Sequence, residues 1–393
     1  MKERITFATL VGLVAYAAIA TDLYLPAIPA LVADLGASAS DGQLTLSVFM
    51  LGIAVGQLIF GPLSDYYGRI PVVTAGTVLF LGTSIACALA NSIEFMWAAR
   101  LAQGLAAASG PVIARAIVRD RYEGDRAVSV MAILSGAMAV IPLIAPTIGS
   151  WMLILVDWRA TYFTLAVFAF IILLGLRTFS ESAPAIGEGG IGIRPVLAHF
   201  SVCLGDRRFM GYQTCGTAGF SAIMAYLSTV SFFMEDVFAL PTAYFGYGFA
   251  LSVAGFMVGA LLCSRVVMHL GINRTLALGT SLSMMAAIGQ WLGIAYGPPP
   301  ILLLATCSFI LFLGVGFTAA NASMGAISRF PKYAGAASAV FGCTQAIVAA
   351  GVGAAAGRLY DGTLAPTASI MLACALVGML GLPLTRAKYR LEV

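Results

Sequence analysis

The chain has 393 residues, of which 60% are hydrophobic and only 10% are charged, and its formal net charge is +4. A soluble domain carries about 25% charged residues, so this composition excludes a soluble protein and predicts a polytopic membrane protein. The 7 cysteines are scattered without metal-ligand or redox spacing, so we expect neither a disulfide framework nor a metal site. The small positive charge does not indicate a nucleic-acid partner, and none is expected.

Apolar runs, each long enough to cross a hydrocarbon layer of about 30 Å as a helix, follow one another along the chain. The first run follows a short charged segment, and we expect it to be a retained span rather than a cleaved signal peptide. The twelve runs are 5–33, 43–63, 70–90, 94–118, 127–153, 158–177, 209–234, 244–268, 272–296, 300–326, 333–357 and 366–386. They predict an all-α membrane protein with twelve transmembrane helices.

The longest polar break, 178–208, divides these runs six and six. We therefore predict an N-terminal six-helix bundle over 1–177, a linker loop over 178–208 and a C-terminal six-helix bundle over 209–393. Most of the 21 basic residues fall on one side if the N-terminus is inside. By the positive-inside rule, both termini and the central loop are expected to be cytoplasmic.

The two halves are similar to each other in their small-residue content. The fourth run contains a Gly/Ala-rich stretch at 103–110, and the tenth run contains one at 314–321. Small residues let helices approach closely in lipid. Repeated halves are the usual build of a secondary transporter, with the substrate site near the midplane between them.

A short polar turn between the second and third runs contains Gly61, Asp65, Gly68, Arg69 and Pro71. The glycines permit close approach and a sharp turn, and the proline fits the first turn of the following helix. A generic membrane hairpin with polar flanks is the simpler interpretation. The full pattern Gly-x-x-x-Asp-x-x-Gly-Arg-x-Pro, however, resembles the loop between spans two and three of the major facilitator superfamily. Its counterpart between spans eight and nine keeps a glycine and arginines but lacks the acid.

The fourth run ends with Arg119 and Asp120 at the same membrane surface as Asp65 and Arg69. We predict that Asp65, Arg69 and Asp120 form a cytoplasmic cluster that stabilises the outward-facing state. The alternative is a solvated ion pair, which contributes about 0–1 kcal/mol.

Asp22 is the acidic residue placed well within an apolar run. Such a residue is costly in the membrane and is a functional-site hypothesis by default. We predict that it carries the coupled proton or contacts substrate. Pro26 and Pro29 weaken the helix just beyond it and favour bending. The alternative is that Asp22 only pairs with an arginine to hold helices together.

Arg100 is the second charge well inside a run, and an unpaired arginine at that depth is unfavourable. Asp22 is the available intramembrane acid, so we expect the two to pair and to act together in proton coupling. Arg115 lies nearer the cytoplasmic end, where its long side chain could reach the interface, and its role stays open.

The candidate pocket residues of the second half are polar or aromatic rather than charged. They predict an apolar cavity with a few hydrogen-bonding groups, which suits a neutral or weakly charged amphipathic molecule. The predicted substrate-binding residues are Asp22, Tyr24, Phe49, Gln57, Tyr226, Asn321 and Gln345.

The chain resembles drug/proton antiporters of the major facilitator superfamily, in the bicyclomycin/chloramphenicol-resistance branch. The matching stretches lie in the first half, at 21–29, 43–47, 56–65 and 115–120. The resemblance implies two six-helix bundles that rock around a central cavity, and it places a family-type arginine at Arg100. Relatives often carry a second acid near the position of Val14, which is apolar here, and this indicates a low proton stoichiometry.

We therefore predict a secondary active transporter, not an enzyme, in a bacterial inner membrane. It would be a proton-coupled antiporter that exports amphipathic drug-like compounds, phenicol-type or similar, by alternating access. It would act as a monomer without a cofactor, with the proton as coupling ion. The alternative is a carrier of a natural small metabolite. An integral-membrane enzyme would need paired acids, a histidine cluster or an activated nucleophile, which this pattern lacks.

Overall fold

A computed structural model describes residues 2–122, 124–183, 200–238, 242–295, 300–330 and 334–386. The described residues are overwhelmingly helical. The principal helices are α1 (Lys2–Asp22), α2 (Ile28–Asp34), α3 (Ala39–Tyr67), α4 (Arg69–Ala88), α5 (Ile93–Arg121), α6 (Gly124–Leu155), α7 (Arg159–Leu176), α8 (Arg207–Asp236), α9 (Thr242–Ala295), α10 (Ile301–Ile327), α11 (Ala334–Leu359) and α12 (Ala365–Thr385).

These helices supply twelve membrane spans. Among the described residues, 10 helical stretches are long and apolar enough to cross a membrane, and α6 adds the apolar stretch Val140–Leu155. The 54-residue α9 contributes two spans, because Gly271 interrupts it with a φ of 74°. The helices α1 and α2 together form one span, Arg4–Asp34, with a 3₁₀ turn at Leu25–Ala27 between them. The predicted all-α fold with twelve spans is confirmed.

The described residues group into two compact units. The first unit is drawn from Met1–Ile193 and Leu240–Ala250, and the second from Arg194–Ala239 and Leu251–Val393. The first therefore contains α1 to α7 and the first residues of α9, and the second contains α8, the rest of α9 and α10 to α12. Much of the predicted linker, 184–199, lies outside the described residues, and the boundaries at 177 and 209 stay a prediction.

In the first unit, α3 and α5 touch backbone to backbone at glycines. A Cβ atom on Gly52 would lie 2.2 Å from the carbonyl oxygen of Leu101, and one on Gly104 would lie 2.0 Å from that of Phe49. A real side chain cannot occupy such a position. The glycines therefore set how closely spans two and four pack.

The second unit repeats this contact between the first part of α9 and α10. A Cβ atom on Gly255 would lie 2.2 Å from the carbonyl oxygen of Phe309, and one on Gly316 would lie 2.4 Å from that of Phe256. Spans eight and ten thus pack as spans two and four do. The small-residue stretches in spans four and ten predict this correspondence.

The two units also turn in the same way between consecutive spans. Gly68, between α3 and α4, has φ 96° and ψ 156°, and Gly271 within α9 has φ 74° and ψ 166°. A positive φ is inexpensive only for glycine. The sequence predicts that the loop between spans eight and nine is the counterpart of the loop between spans two and three, and Gly271 and Gly68 make the same backbone turn there.

Candidate functional site

Asp22 is the last residue of α1, and only 5% of it is exposed. The chain unwinds directly after it, because Pro26 and Pro29 cannot continue a regular helix from α1. Within the described part of the chain, no ion pair includes Asp22. A buried carboxyl group therefore lies at the break in the first span without a basic partner there.

Arg100 is fully buried on α5, with aromatic rings beside its guanidinium group. The guanidinium carbon lies 4.2 Å from the ring centre of Tyr24 and 4.1 Å from that of Phe49. Nη1 donates to Gln103 Oε1 at 2.7 Å and to the Ala20 carbonyl oxygen at 3.1 Å. Nε and Nη2 have no hydrogen-bond partner among the described residues.

The expected ion pair between Arg100 and Asp22 is therefore wrong for this conformation. Two π faces, an amide oxygen and a backbone carbonyl stabilise the cation instead. Arg100 holds the first span through the backbone of Ala20, two residues before Asp22, rather than through the carboxyl group. The sequence does not indicate these partners, because ring faces and backbone carbonyls carry no formal charge.

A wider polar network surrounds Arg100 and links four helices. Gln103 donates from Nε2 to Ser84 Oγ on α4 at 2.8 Å, and the Tyr24 and Thr45 hydroxyls of the first and second spans lie 3.1 Å apart. Because these groups are buried, their hydrogen bonds fix the relative positions of the helices. Of the predicted residues, Tyr24 and Phe49 thus meet at Arg100. Gln57 is half-buried two turns further along α3, about 12 Å from Phe49 by the helical rise.

Tyr226, on α8 of the second unit, is 2% exposed and has a polar partner. Its hydroxyl lies 3.1 Å from Ser252 Oγ on α9, and its ring meets the Phe312 ring edge to face at 5.4 Å. The tyrosine therefore connects three helices of this unit.

Asn321 and Gln345 also have protein partners. Asn321 donates from Nδ2 to the Phe317 carbonyl oxygen at 2.8 Å and to Cys263 Sγ at 3.0 Å. Gln345 donates from Nε2 to the Gly216 carbonyl oxygen at 3.1 Å. Both amides join elements of the second unit in this conformation, so a ligand that used these donors would have to replace those bonds.

The predicted charged cluster at the loop between α3 and α4 is present. Arg69, only 3% exposed, donates from Nε to Asp120 Oδ2 at 2.9 Å, and from Nη1 to the Asp65 carboxylate and to Ser64 Oγ at 2.8 Å. The Asp120 side chain is 8% exposed and that of Asp65 is 62% exposed. Arg119 Nε lies 3.8 Å from Asp120 at the exposed edge. The buried core of this cluster is therefore the pair Arg69–Asp120.

The other predicted loop residues have backbone roles. The Gly61 carbonyl oxygen accepts the Ser64 hydroxyl at 2.9 Å, Gly68 makes the turn described above, and Pro71 lies in the first turn of α4. None of them contributes a side-chain donor or acceptor.

Glu181, which follows α7, is a member of this region that sequence reasoning missed. Its carboxylate accepts the backbone N–H groups of Arg69 at 2.9 Å and Ile70 at 3.1 Å, and also those of Ser182 and Ala183. Partial burial raises the pKa of Glu181, but these hydrogen bonds outweigh it and hold that pKa below its usual range. Glu181 lies in a polar break that is far in the sequence from the loop between α3 and α4, so no sequence pattern predicts this contact.

The second unit also has an ion pair outside its spans, between Asp206 before α8 and Arg329 after α10. Asp206 accepts the Phe209 N–H at 2.7 Å as the cap of α8, and its second oxygen lies 3.1 Å from Arg329 Nη2. Burial raises the pKa of Asp206, but Arg329 and the backbone donor lower it by more. Among the described residues, no group of three or more His, Cys, Asp and Glu side chains could hold a metal ion.

Residues 10–354 match the model of the Major Facilitator Superfamily. The uncharacterized MFS-type transporter YdgK of Bacillus subtilis (strain 168) is 30% identical over 388 residues, 96% of this chain and 95% of that protein. The multidrug resistance protein MdtL of Escherichia coli O157:H7 (strain EC4115 / EHEC) is 28% identical, over 91% of this chain and 90% of that one. The bicyclomycin resistance protein homolog of Haemophilus influenzae is 26% identical, with the same coverage.

Solved structures show the same fold. A peptide transporter POT in complex with sulfate superimposes with a TM-score of 0.77 at 16% identity, covering 97% of this chain and 93% of that one. A POT family transporter in complex with a thioalcohol conjugated peptide gives 0.74 at 12% identity, with 97% and 94% covered. The family match over most of the length, together with the twelve spans, places this chain in the Major Facilitator Superfamily, as a multi-pass membrane transporter.

Proposed function

We propose that this chain exports amphipathic, drug-like compounds in exchange for protons. Relatives named for multidrug resistance and bicyclomycin resistance align with it over about nine-tenths of both chains, and they support the substrate class. The resemblance of the first half to the chloramphenicol-resistance branch makes phenicols the first compounds to test. A carrier of a natural small metabolite is the alternative.

The observation that carries the coupling proposal is the buried carboxyl group of Asp22, which has no ion-pair partner in the described chain. An acid locked in a salt bridge would serve structure, whereas one without a basic partner is available to bind and release a proton. In the outward-facing state Asp22 takes a proton and the drug leaves. After the protonated carrier turns inward, Asp22 releases the proton and a new drug binds.

Competition between proton and drug for one site couples the two flows by population shift. Arg100 has a positioning role in this scheme, because it holds the backbone of Ala20 immediately before the break. Because Arg100 fixes the end of α1, protonation of Asp22 affects the segment that follows α1 and not α1 itself. In this proposal Asp22 and Arg100 form the coupling pair, and they are connected through the backbone of α1 and not through a salt bridge.

Among the substrate-contact residues proposed, Gln57 has no hydrogen-bond partner within the described chain and is half-buried, so its amide is available to a ligand. Tyr24 and Phe49 present rings that already flank Arg100, and Tyr226, Asn321 and Gln345 would contribute after exchanging their present partners. We propose a location in the bacterial inner membrane, with the Arg69–Asp120 cluster and both termini on the cytoplasmic side, and a monomeric transporter without a cofactor.

The proposal is tested by uptake into proteoliposomes that contain the purified chain. Accumulation of a labelled phenicol and of a lipophilic cation is measured with the lumen acidic, and again after a protonophore collapses the gradient. We expect accumulation of at least one compound that requires the gradient. Transport that does not depend on the proton gradient would contradict proton coupling. If neither compound is transported, the result would contradict drug export and favour the alternative, a carrier of a natural small metabolite.

A further inference from the structure

The segment that follows α7, residues 179–183, lies against the loop between α3 and α4. Glu181 in this segment binds two backbone amides of α4. They are those of Arg69, 112 residues away in the sequence, and Ile70, 111 residues away. The contact is therefore tertiary and not part of a local turn. It joins the beginning of the polar break to the charged loop.

The start of α4 needs a partner of this kind. The first N–H groups of any helix lack acceptors within the helix, and a side chain at the N-cap usually supplies one. The N-cap of α4 is Gly68, which has no side chain and provides no cap. Glu181 supplies the missing acceptor, and its negative charge is favoured at the positive end of the helix dipole.

Gly68 is adapted to this contact in two ways. Its φ of 96° makes the turn, and a Cβ atom there would lie 2.6 Å from Glu181 Oε2. Gly271 in the second unit also has a positive φ, but a Cβ atom there would meet no atom of the described residues within 4 Å. Among those residues a carboxylate thus closely approaches Gly68 and not Gly271, whereas the turn is common to both.

The same segment is attached to the end of α5. Arg121 donates from Nη2 to the Ser180 carbonyl oxygen and, at 3.2 Å, to its hydroxyl, and its guanidinium carbon lies 5.2 Å from the Phe179 ring centre. Residues 179–183 therefore hold the two helices, α4 and α5, that carry the buried pair Arg69–Asp120.

We propose that Glu181 is a positioning residue for the Arg69 cluster. By capping α4 it fixes the backbone of Arg69, and the guanidinium group is then held against Asp120 and Asp65. The consequence for transport, that a displaced 179–183 segment releases the cluster, rests on the function proposed above. The contact between Glu181 and α4, and its effect on how Arg69 is held against Asp120, do not depend on that function.

Hydrogen exchange of the full chain in lipid nanodiscs tests this without any substrate. Loss of a charged hydrogen bond in Glu181→Ala should speed exchange at the amides of Arg69 and Ile70 about tenfold. If Arg69 is also released, the last turn of α5, residues 117–121, should exchange faster as well. Glu181→Gln keeps an acceptor oxygen and should show a smaller change at both places.

Unchanged exchange at the two α4 amides would overturn the contact, and faster exchange there with an unchanged 117–121 segment would overturn the positioning role. Should Glu181→Ala fail to fold, Glu181→Gln supplies the same comparison. These readouts decide the inference even if the native protein exports neither test compound. An absence of export therefore contradicts the proposed function and leaves the inference to be judged by exchange.

A double-mutant comparison tests whether Gly68 acts through Glu181. Gly68→Ala should speed hydrogen exchange in residues 117–121, because it displaces Glu181. In the Glu181→Ala background, Gly68→Ala should change exchange in the loop between α3 and α4 only as much as Gly271→Ala changes exchange in its own loop. Gly271→Ala is the matched control, since it carries the backbone strain without the clash. Equal effects of Gly68→Ala in both backgrounds would contradict the proposal.

Discussion

Arg100 donates a hydrogen bond at 3.1 Å to the carbonyl oxygen of Ala20, in the last turn of α1. In an uninterrupted helix that carbonyl would accept the amide of Tyr24, but α1 ends at Asp22. A cation near the C-terminal end of a helix is also favoured by the helix dipole. The arginine therefore connects α5 to the break in the first span.

Arg100→Ala should destabilise the protein by about 3 kcal/mol, because it removes two charge-assisted hydrogen bonds and the stacking on two rings. Arg100→Lys should recover only part of this, since an ammonium lacks the planar fork of donors. Arg119→Ala is the control on the same helix, where the side chain is 71% exposed, and should cost less than about 0.5 kcal/mol. Denaturant unfolding in detergent measures all three, and equal losses at Arg100 and Arg119 would contradict this account.

The two acids that bind Arg69 should contribute unequally. Asp120→Asn leaves a buried guanidinium short of its partner and should cost about 1.5–3 kcal/mol. Asp65→Asn acts on a side chain that is 62% exposed and should cost less than about 1 kcal/mol. Thermal unfolding of both variants, with Arg119→Gln as a control expected to be neutral, checks the order. The reverse order would show that the exposed pair is the more important one.

Close packing of α3 on α5 makes Gly104 intolerant of a side chain. Gly104→Ala would place a methyl group 2.0 Å from the Phe49 carbonyl oxygen, so the helices must separate at a cost of about 1–3 kcal/mol or more. Gly82→Ala meets no atom of the structurally described part of the chain within 4 Å, and it should be neutral or stabilise by about 0.5–1 kcal/mol. Unfolding temperatures of the two variants give the comparison, and similar values would contradict the glycine contact.

The spans could be predicted because a run of about 20 apolar residues has few alternatives to crossing the membrane. The Arg69 cluster could be predicted because its members lie at the ends of those spans. Glu181 could not, since no local pattern indicates that a segment more than a hundred residues away caps α4. The partners of Arg100 could not be predicted either, because a π face or a backbone carbonyl stabilises a buried cation without a charged residue in the sequence.

The contribution of Glu181 to stability should depend on pH. Its pKa in the folded protein lies below the value of about 4.3 for an unfolded chain, because the backbone donors outweigh the effect of partial burial. Its stabilisation is therefore present above about pH 4.3 and is lost as the pH falls through the lower, folded pKa. The difference in unfolding temperature between the native protein and Glu181→Gln should be largest near pH 7 and should shrink below about pH 4.

Comparison with the variant is needed because Asp65 and Asp120, beside Arg69, are carboxyl groups that both proteins share. A difference that stays constant down to pH 3 would mean that the ionised carboxylate contributes nothing.

The most direct test of the central claim is drug-driven proton movement in proteoliposomes, with the native protein, Asp22→Asn and Glu94→Gln compared. Glu94→Gln removes an equal charge from an exposed position at the start of α5 and serves as the control. We expect a phenicol or a lipophilic cation to drive proton movement through the native protein and Glu94→Gln, and none through Asp22→Asn. Proton movement that persists in Asp22→Asn would contradict the assignment of Asp22 as the proton carrier.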